Sequence, residues 1–542
     1  MNQFHSPTAG FASPRLDESE KLGIRIESYK INCSIGLSSR GFTDYFDFRA
    51  VTDVSFRATL GRQRWLMFYL SDPLVVDSVF WENGQPARYF RGEKNLEVWV
   101  ECTPILESGE SRTLRFYYHG DILEKKDARF FLHSSVFWYP REGGRSKSGF
   151  DLTFRFPSKY MLVSVGNKVS SSTFDDITTE RWTAAEPIRN ASFNIGTFRE
   201  EPIHEEGIPK MSVLVSGAGG YKMEQEVADD LRNSVKLFQK LFGPCPVQTL
   251  YATEIPFPHG EAFPGLLHLW EGTFQHLEMI EGFQESFRAH EVAHQWWGIG
   301  VDFKTYHDQW LSEGFSQYAG MMYMQAALKD NELFSKKLGQ MKKSIQMNRK
   351  YLFSTEQEAG PISLGYRTES SSTHGDYNLI VYQKGAWVLH MIRMMMLDLK
   401  TMSEDRFEAM MRDFYKSYRG KNASTEDFKT VLQKHVKEDM TWFFRQWVYD
   451  TQIPQYTFSF TREKLADGKV KVHCRVRQEG VDQDFQMVVP LKIEFAGNRF
   501  LRLRARVKGP LSEFDLPPLP LQPDKIIFND LDAVLCDVES ED

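Results

Sequence analysis

Long apolar runs and a strong net charge are both missing from this chain of 542 residues. No stretch approaches the roughly 18–20 consecutive apolar residues of a membrane-spanning helix, so we expect no membrane span. The net charge of −7 and the pI near 6.1 give no electrostatic reason for binding nucleic acid or an anionic membrane. The composition therefore favours a globular protein without a nucleic-acid partner.

Cysteines are few, and no two have the spacing of a zinc finger or a redox motif. The five are Cys33, Cys102, Cys245, Cys474 and Cys536. Free thiols in a reducing compartment are the simplest interpretation, and a disulfide framework is the alternative. The first 21 residues have no apolar core like that of a signal peptide. We therefore expect a cytoplasmic protein, or else an exported one whose leader is absent from this sequence.

Hydrophobic periodicity predicts a multidomain α+β protein. Residues 1–20 have the composition of a flexible arm, and 21–209 predict an antiparallel β domain because apolar and polar residues alternate, as in the stretch 150–156. Helical periodicity dominates 210–452, and alternation returns in 453–542, which predicts a small C-terminal β-sandwich. In that last segment Arg502, Arg504 and Arg506 predict a solvated strand face, with a binding stripe as the alternative.

The motif that carries chemistry is His290-Glu291-Val292-Ala293-His294. It lies in the run 281–298, which has no proline and no internal glycine after Gly282 and is predicted to be a helix. Side chains four residues apart share one helix face, so His290 and His294 can direct two imidazole nitrogens at one zinc ion. Glu291 is close enough to reach a water held there.

A third ligand candidate, Glu313, follows His294 after eighteen intervening residues. It lies in a second predicted helix, 306–328, which could return antiparallel to the first and bring the carboxylate beside the histidines. Three protein ligands with one open position are the catalytic form of a zinc site. The sequence thus predicts one Zn²⁺ per chain, held by His290, His294 and Glu313.

These motifs resemble those of the gluzincin metallopeptidases, the family of aminopeptidase N and leukotriene hydrolase. Glu313 stands in a Trp-Leu-x-Glu-Gly-Phe context, and Tyr382-Gln383-Lys384-Gly385-Ala386 is similar to the family's Tyr-x-Lys-Gly stretch. The segment 442–448 resembles the one that closes the family's catalytic domain. The resemblance implies a thermolysin-like peptidase domain over 210–452 that acts on peptides, most simply as an aminopeptidase.

The expected mechanism uses a zinc-activated water, with Glu291 as general base and Tyr382 as the donor that stabilises the oxyanion. Tyr377 is the alternative donor and a candidate for substrate contact. Histidine ligands usually donate their other ring nitrogen to an acceptor, for which Asp302 and Asp308 are available.

One segment departs from the family. Its aminopeptidases carry Gly-x-Met-Glu-Asn, whose Glu binds the substrate's α-amino group, whereas this chain has Gly260-Glu261-Ala262-Phe263-Pro264. Phe263 therefore occupies the position of the usual anchor. Glu261 lies two residues earlier, on the same face of a strand, and could bind the amine while Phe263 forms the wall of the first side-chain pocket. Alternatively, Glu261 is an exposed loop charge.

Two other functions stay open on the sequence alone. The scaffold could belong to an endopeptidase or to a hydrolase of another bond, such as an epoxide. It could also belong to a non-catalytic protein that binds partners, although the complete set of ligands together with Glu291 and Tyr382 favours an enzyme. The sequence makes no prediction of the oligomeric state.

Overall fold

The computed structural model of the chain describes residues 23–40, 43–92, 95–126, 129–132, 136–143, 146–216, 224–275, 281–347, 360–371 and 373–541. The predicted flexible arm, 1–20, lies outside them. The described residues form two compact units, one within 1–236 and 245–279 and the other within 237–244 and 280–542. In these residues no helix combines the length and the apolarity needed to cross a membrane.

The first unit is built mainly of strands. They are β1 (Ile24–Arg40), β2 (Thr43–Ala58), β3 (Gln63–Tyr69), β4 (Leu74–Trp81), β5 (Tyr89–Phe90), β6 (Glu97–Leu106), β7 (Ser111–Gly120), β8 (Glu124–Lys126), β9 (Arg129–Phe131), β10 (Gly149–Pro157), β11 (Met161–Ser164), β12 (Asn167–Phe174), β13 (Ile177–Thr183), β14 (Phe193–Gly196), β15 (Phe198–Ile203), β16 (Lys210–Ser216), β17 (Thr249–Ile255), β18 (Glu261–Phe263) and β19 (Leu266–Trp270). Helix α1 (Glu224–Phe242) begins in this unit.

Most strands of the first unit pair antiparallel. The largest sheet has the order β12-β13-β10-β1-β2-β7-β4, and only β1 and β10 are parallel in it. Smaller sheets have the orders β3-β6-β5 and β11-β14-β9-β8, and a mixed sheet has the order β15-β16-β17-β19-β18. The predicted β-rich N-terminal region is confirmed.

The period of two explains how these strands bury their apolar faces. In β10, Phe150, Leu152, Phe154 and Phe156 are buried, and the residues between them are more exposed. Phe154 packs in the core against Phe193, with ring centroids 5.0 Å apart. One face of the strand therefore contributes to the core, as the alternation predicts.

The second unit is helical and ends in strands. Its helices are α2 (Phe283–Ala293), α3 (Glu313–Leu328), α4 (Asn331–Met347), α5 (Gly385–Met396), α6 (Asp405–Tyr418), α7 (Thr425–Val436) and α8 (Thr441–Trp447), with 3₁₀ segments at Tyr306–Leu311 and Ile362–Thr368 and a π-helical segment at Asn378–Lys384. Its strands are β20 (Asp302–Phe303), β21 (Asn422–Ala423), β22 (Gln455–Lys464), β23 (Val470–Glu479), β24 (Gln486–Phe495), β25 (Arg499–Lys508), β26 (Leu511–Asp515), β27 (Lys525–Phe528) and β28 (Asp537–Ser540).

Two predicted helices are shorter than expected. The run 281–298 forms α2 only from Phe283 to Ala293, with Gly282 as the N-cap at a left-handed φ of 73° and His294 as the C-cap. The run 306–328 breaks at Ser312 into a 3₁₀ turn and α3. The break places Glu313 at the first position of α3.

The C-terminal strands form two sheets, ordered β26-β23-β22-β28 and β25-β24-β27, as expected for a small sandwich. In the arginine row on β25, Arg504 and Arg506 are exposed, as the sequence predicts for a solvated face, and Arg502 is half-buried. The members of the row bind other parts of the same unit: Arg502 pairs with Asp530, Arg504 donates to the Met394 carbonyl oxygen at the end of α5, and Arg506 pairs with Glu438. The row therefore links the C-terminal sheet to the helices.

Candidate active site

The two motif histidines meet as the helical spacing predicts. His290 lies in the last turn of α2, and His294 follows as its C-cap, with its N–H still donating to the His290 carbonyl oxygen at 3.2 Å. The two Nε2 atoms are 3.1 Å apart, and the rings are almost perpendicular. Both nitrogens therefore point to one place although the helix ends between the two residues.

Glu313 completes the group. Its Oε2 atom lies 3.2 Å from His294 Nε2 and 3.8 Å from His290 Nε2. The side chains of all three residues are less than a fifth exposed. Within the part of the chain that the structure describes, no other group of three His, Cys, Asp or Glu side chains brings its donor atoms this close together.

The second ring nitrogen of His294 donates to a backbone group. Nδ1 lies 3.0 Å from the carbonyl oxygen of Trp297 and 3.1 Å from Ser316 Oγ on α3. A carbonyl can only accept, so Nδ1 carries a hydrogen and Nε2 can offer its lone pair to a metal. The sequence does not predict these partners. Asp308, one of the two carboxylates considered for this role, instead accepts from the backbone N–H of Thr425.

The charges of His290, His294 and Glu313 shift one another's pKa values. Burial, and after it the charge of His294, lowers the pKa of His290 to about 3. Burial also acts to lower the pKa of His294, but the Glu313 carboxylate outweighs it and raises that pKa to about 9. Burial acts to raise the pKa of Glu313, but His294 holds it below its usual range. The buried Glu313 carboxylate therefore favours a positive charge beside the two histidines.

The donor set fits zinc. Tetrahedral ligands at about 2.0–2.1 Å from the ion would be about 3.3–3.4 Å apart, close to the spacings found here. Two imidazoles and one carboxylate are also a catalytic type of zinc ligand set. The three residues are thus suited to one zinc ion with a coordination position left for water or substrate.

Two further side chains lie against this group. Glu291 is buried on α2 and is close enough to influence the pKa of both His294 and Tyr382. The Tyr382 ring lies parallel to that of His290, with centroids 5.8 Å apart, and its hydroxyl is close enough to Glu313 for the carboxylate to act on its pKa. Burial, followed by the Glu313 charge, raises the pKa of Tyr382 well above its usual value. The phenol therefore stays protonated and can donate.

Tyr382 lies in a π-helical segment, Asn378–Lys384. Such segments are rare and often occur at functional sites. Tyr377, the alternative donor, packs edge-on against Tyr382 with ring centroids 5.5 Å apart.

The divergent segment belongs to the first unit. Glu261 begins β18, and its side chain is only 8% exposed, so it is not an exposed loop charge. Its two oxygens lie 3.5 Å from His259 Nε2 and 3.2 Å from His268 Nδ1. Phe263, at the end of the strand, is part of the core of this unit and contacts the His268 ring. Gly260 precedes the strand.

The segment that contains the metal group is similar in sequence to known proteins. Residues 283–447 match the Peptidase family M1 domain. Aminopeptidase M1-B of Oryza sativa subsp. japonica is 27% identical over 165 residues, which are 30% of this chain and 17% of that protein. Glutamyl aminopeptidase of Mus musculus is 29% identical over 159 residues, 28% of this chain and 16% of that protein. The chain thus spans about a sixth of the length of these curated relatives.

Solved structures resemble this chain over a larger part of its length than the sequence matches do. The M1 zinc metallopeptidase from Deinococcus radiodurans superposes with a TM-score of 0.61, covering 80% of this chain and 95% of that one, at 17% sequence identity. A mutant of a two-domain M1 zinc metallopeptidase, bound to the amino acid L-tryptophan, gives the same TM-score of 0.61 with the same coverage. At this identity the likeness establishes the fold.

Proposed function

We propose, because residues 283–447 match the Peptidase family M1 domain, that the protein is a zinc-dependent hydrolase that releases residues from the N-terminus of peptides. The observation that carries the proposal is the convergence of two histidine Nε2 atoms, 3.1 Å apart, with the Glu313 carboxylate. The matched relatives are named as aminopeptidases, which supports the same reaction.

The chain's own residues would divide the reaction between them. Glu291 would take a proton from the attacking water and pass it to the leaving amine as general base and then acid. Tyr382 would donate its protonated hydroxyl to the developing oxyanion. Zinc, when bound by the three ligands, would supply Lewis acidity and favour deprotonation of water near neutral pH.

For the substrate's free amine we propose Glu261 as the anchor. A cationic amine removed from water needs a carboxylate partner. Glu261 offers one, and His259 and His268 restrict its orientation. Phe263 is proposed to contact the first side chain of the peptide, with Gly260 and Tyr377 as further substrate contacts.

The amine preference tests exopeptidase action. We expect kcat/KM for a free peptide to exceed that for its N-acetylated form in the parent, and Glu261→Gln to lose most of this preference. Glu205→Gln, which changes an exposed carboxylate paired with Lys236 in the same unit, should retain it. If the parent does not prefer the free peptide to its N-acetylated form, the endopeptidase alternative is favoured. If Glu261→Gln keeps the full preference of the parent for the free peptide, Glu261 is excluded as the anchor.

The same assay addresses the remaining alternatives. If the zinc-loaded protein cleaves no peptide of a broad panel, free or blocked, the non-catalytic scaffold or a hydrolase of another bond is favoured.

We propose that the chain divides into domains at 1–20, 21–209, 210–452 and 453–542, which limited proteolysis can test. A cytoplasmic location and the lack of a nucleic-acid partner stay predictions from the sequence.

A further inference from the structure

Two helix backbones touch beside the candidate site. Gly314, directly after Glu313, is the second residue of α3, and Gly385 is the first residue of α5. A Cβ atom at Gly314 would lie 3.0 Å from Gly385 Cα and 3.1 Å from the Val381 carbonyl oxygen. A Cβ atom at Gly385 would lie 3.2 Å from Gly314 Cα. A methyl group at either position would therefore push the two backbones apart.

The close approach of the two helices, and not an unusual backbone conformation, accounts for glycine at both positions. Gly385 has the helical angles φ −58° and ψ −44°, which any residue can adopt. Gly314 lies within α3 and has no positive φ. Glycine weakens a helix relative to alanine, so two glycines facing each other carry a cost that only their close approach accounts for.

The crossing lies between the residues proposed for the chemistry. Glu313 immediately precedes Gly314, and Tyr382 lies three residues before Gly385, in the π-helical segment. The Tyr382 ring lies parallel to that of His290, with centroids 5.8 Å apart, and the Glu313 carboxylate is close enough to act on the pKa of the Tyr382 hydroxyl. Because backbone touches backbone at the crossing, no side chain can adjust there to absorb a change in helix separation.

We infer that the contact between Gly314 and Gly385 positions the Tyr382 hydroxyl over the metal group. Both glycines are then positioning residues for the peptide hydrolysis proposed above, on which this inference rests. They act through Tyr382 and have no contact with substrate of their own.

Gly320, the second glycine of α3, provides a contrast. A Cβ atom at Gly320 would lie 2.5 Å from the Ser286 carbonyl oxygen and 3.2 Å from the His290 backbone nitrogen. This second close approach is to α2, which carries the histidine ligands. Gly320→Ala should therefore reduce zinc content, whereas Gly385→Ala should not.

The test is a double-mutant cycle with Tyr382→Phe. Gly385→Ala and the tighter Gly314→Ala are made alone and in the Tyr382→Phe background, and kcat, KM, zinc content and Tm are measured. A displacement of a few tenths of an ångström should lower kcat about tenfold in the parent background, with KM changed by less than about twofold and zinc retained. In the Tyr382→Phe background the same glycine changes should cause no further loss of kcat. Gly339→Ala in α4, where a Cβ meets nothing within 4 Å, is the matched control and should leave kcat unchanged.

Several outcomes would overturn the inference. Losses of kcat that add to that of Tyr382→Phe would show that the glycines act elsewhere, and zinc loss in Gly385→Ala would show that they act through the ligands. An unchanged kcat in both glycine variants, or failure of both to fold, would also overturn it. An unchanged kcat in Tyr382→Phe alone would refute the proposed role of Tyr382 itself, a failure that is visible before any glycine variant is made.

Discussion

At the scale of single residues, Glu291 is the side chain on which turnover should depend most. It is buried on α2 between the two histidine ligands in sequence. Glu291→Gln should keep zinc and Tm but lower kcat by about 10²–10⁴-fold, because an amide cannot accept the proton from water. Glu285→Gln, on the first turn of the same helix, should keep full activity. A Glu291→Gln variant with more than about a tenth of the parent kcat would exclude Glu291 as the base.

The three ligands should determine metal content. His290→Ala, His294→Ala and Glu313→Ala should each lose most of the roughly one zinc per chain expected for this donor set. His374→Ala removes an exposed histidine paired with Glu369 and should leave the zinc content unchanged. Elemental analysis of the dialysed proteins distinguishes the two groups, and full zinc in two of the three ligand variants would refute the assignment.

At the scale of elements, Arg504 joins a strand to a helix end. It donates from β25 to the Met394 carbonyl oxygen at 2.8 Å and to that of Leu397, where the last turn of α5 leaves carbonyls without helical partners. Arg504→Met should lower the free energy of unfolding by about 1–2 kcal/mol. The control is Arg499→Met on the same strand, because Arg499 donates to the Ala496 carbonyl oxygen of its own hairpin turn. Equal urea midpoints for the two variants would show that the Arg504 contacts contribute nothing.

At the scale of the whole molecule, stability should fall with acid because of His390. This buried residue of α5 accepts a hydrogen bond from the Tyr318 hydroxyl and donates to the Asp532 carbonyl oxygen. Burial, and then the Arg393 charge, lowers its pKa from 6.5 to about 3. Below pH 6.5 the unfolded chain therefore binds a proton that the folded chain does not, so the folded state loses stability as the pH falls from about 6.5 toward 3.

The expected loss from this one residue is about 2 kcal/mol between pH 7.5 and 5. His390→Gln can keep both hydrogen bonds without titrating, so its stability should fall less than that of the parent by this amount. Urea unfolding of both proteins with saturating zinc measures the difference, and His374→Gln controls for loss of an exposed histidine. Parallel pH dependences of the parent and His390→Gln would contradict the prediction.

The sequence by itself determined the donor set and most of the element types. Helical spacing brings His290 and His294 together because the separation of side chains four apart is a local property of a helix. Alternation likewise predicted the buried face of β10, since the period of two is local to a strand.

Only the tertiary structure decided the features that depend on residues distant in the chain. The break at Ser312, the Ser316 hydroxyl beside His294, the Arg504 contact with the end of α5 and the contact of Gly314 with Gly385 all arise where separate segments meet. Such contacts follow from packing in three dimensions, and no period or spacing along the chain encodes them.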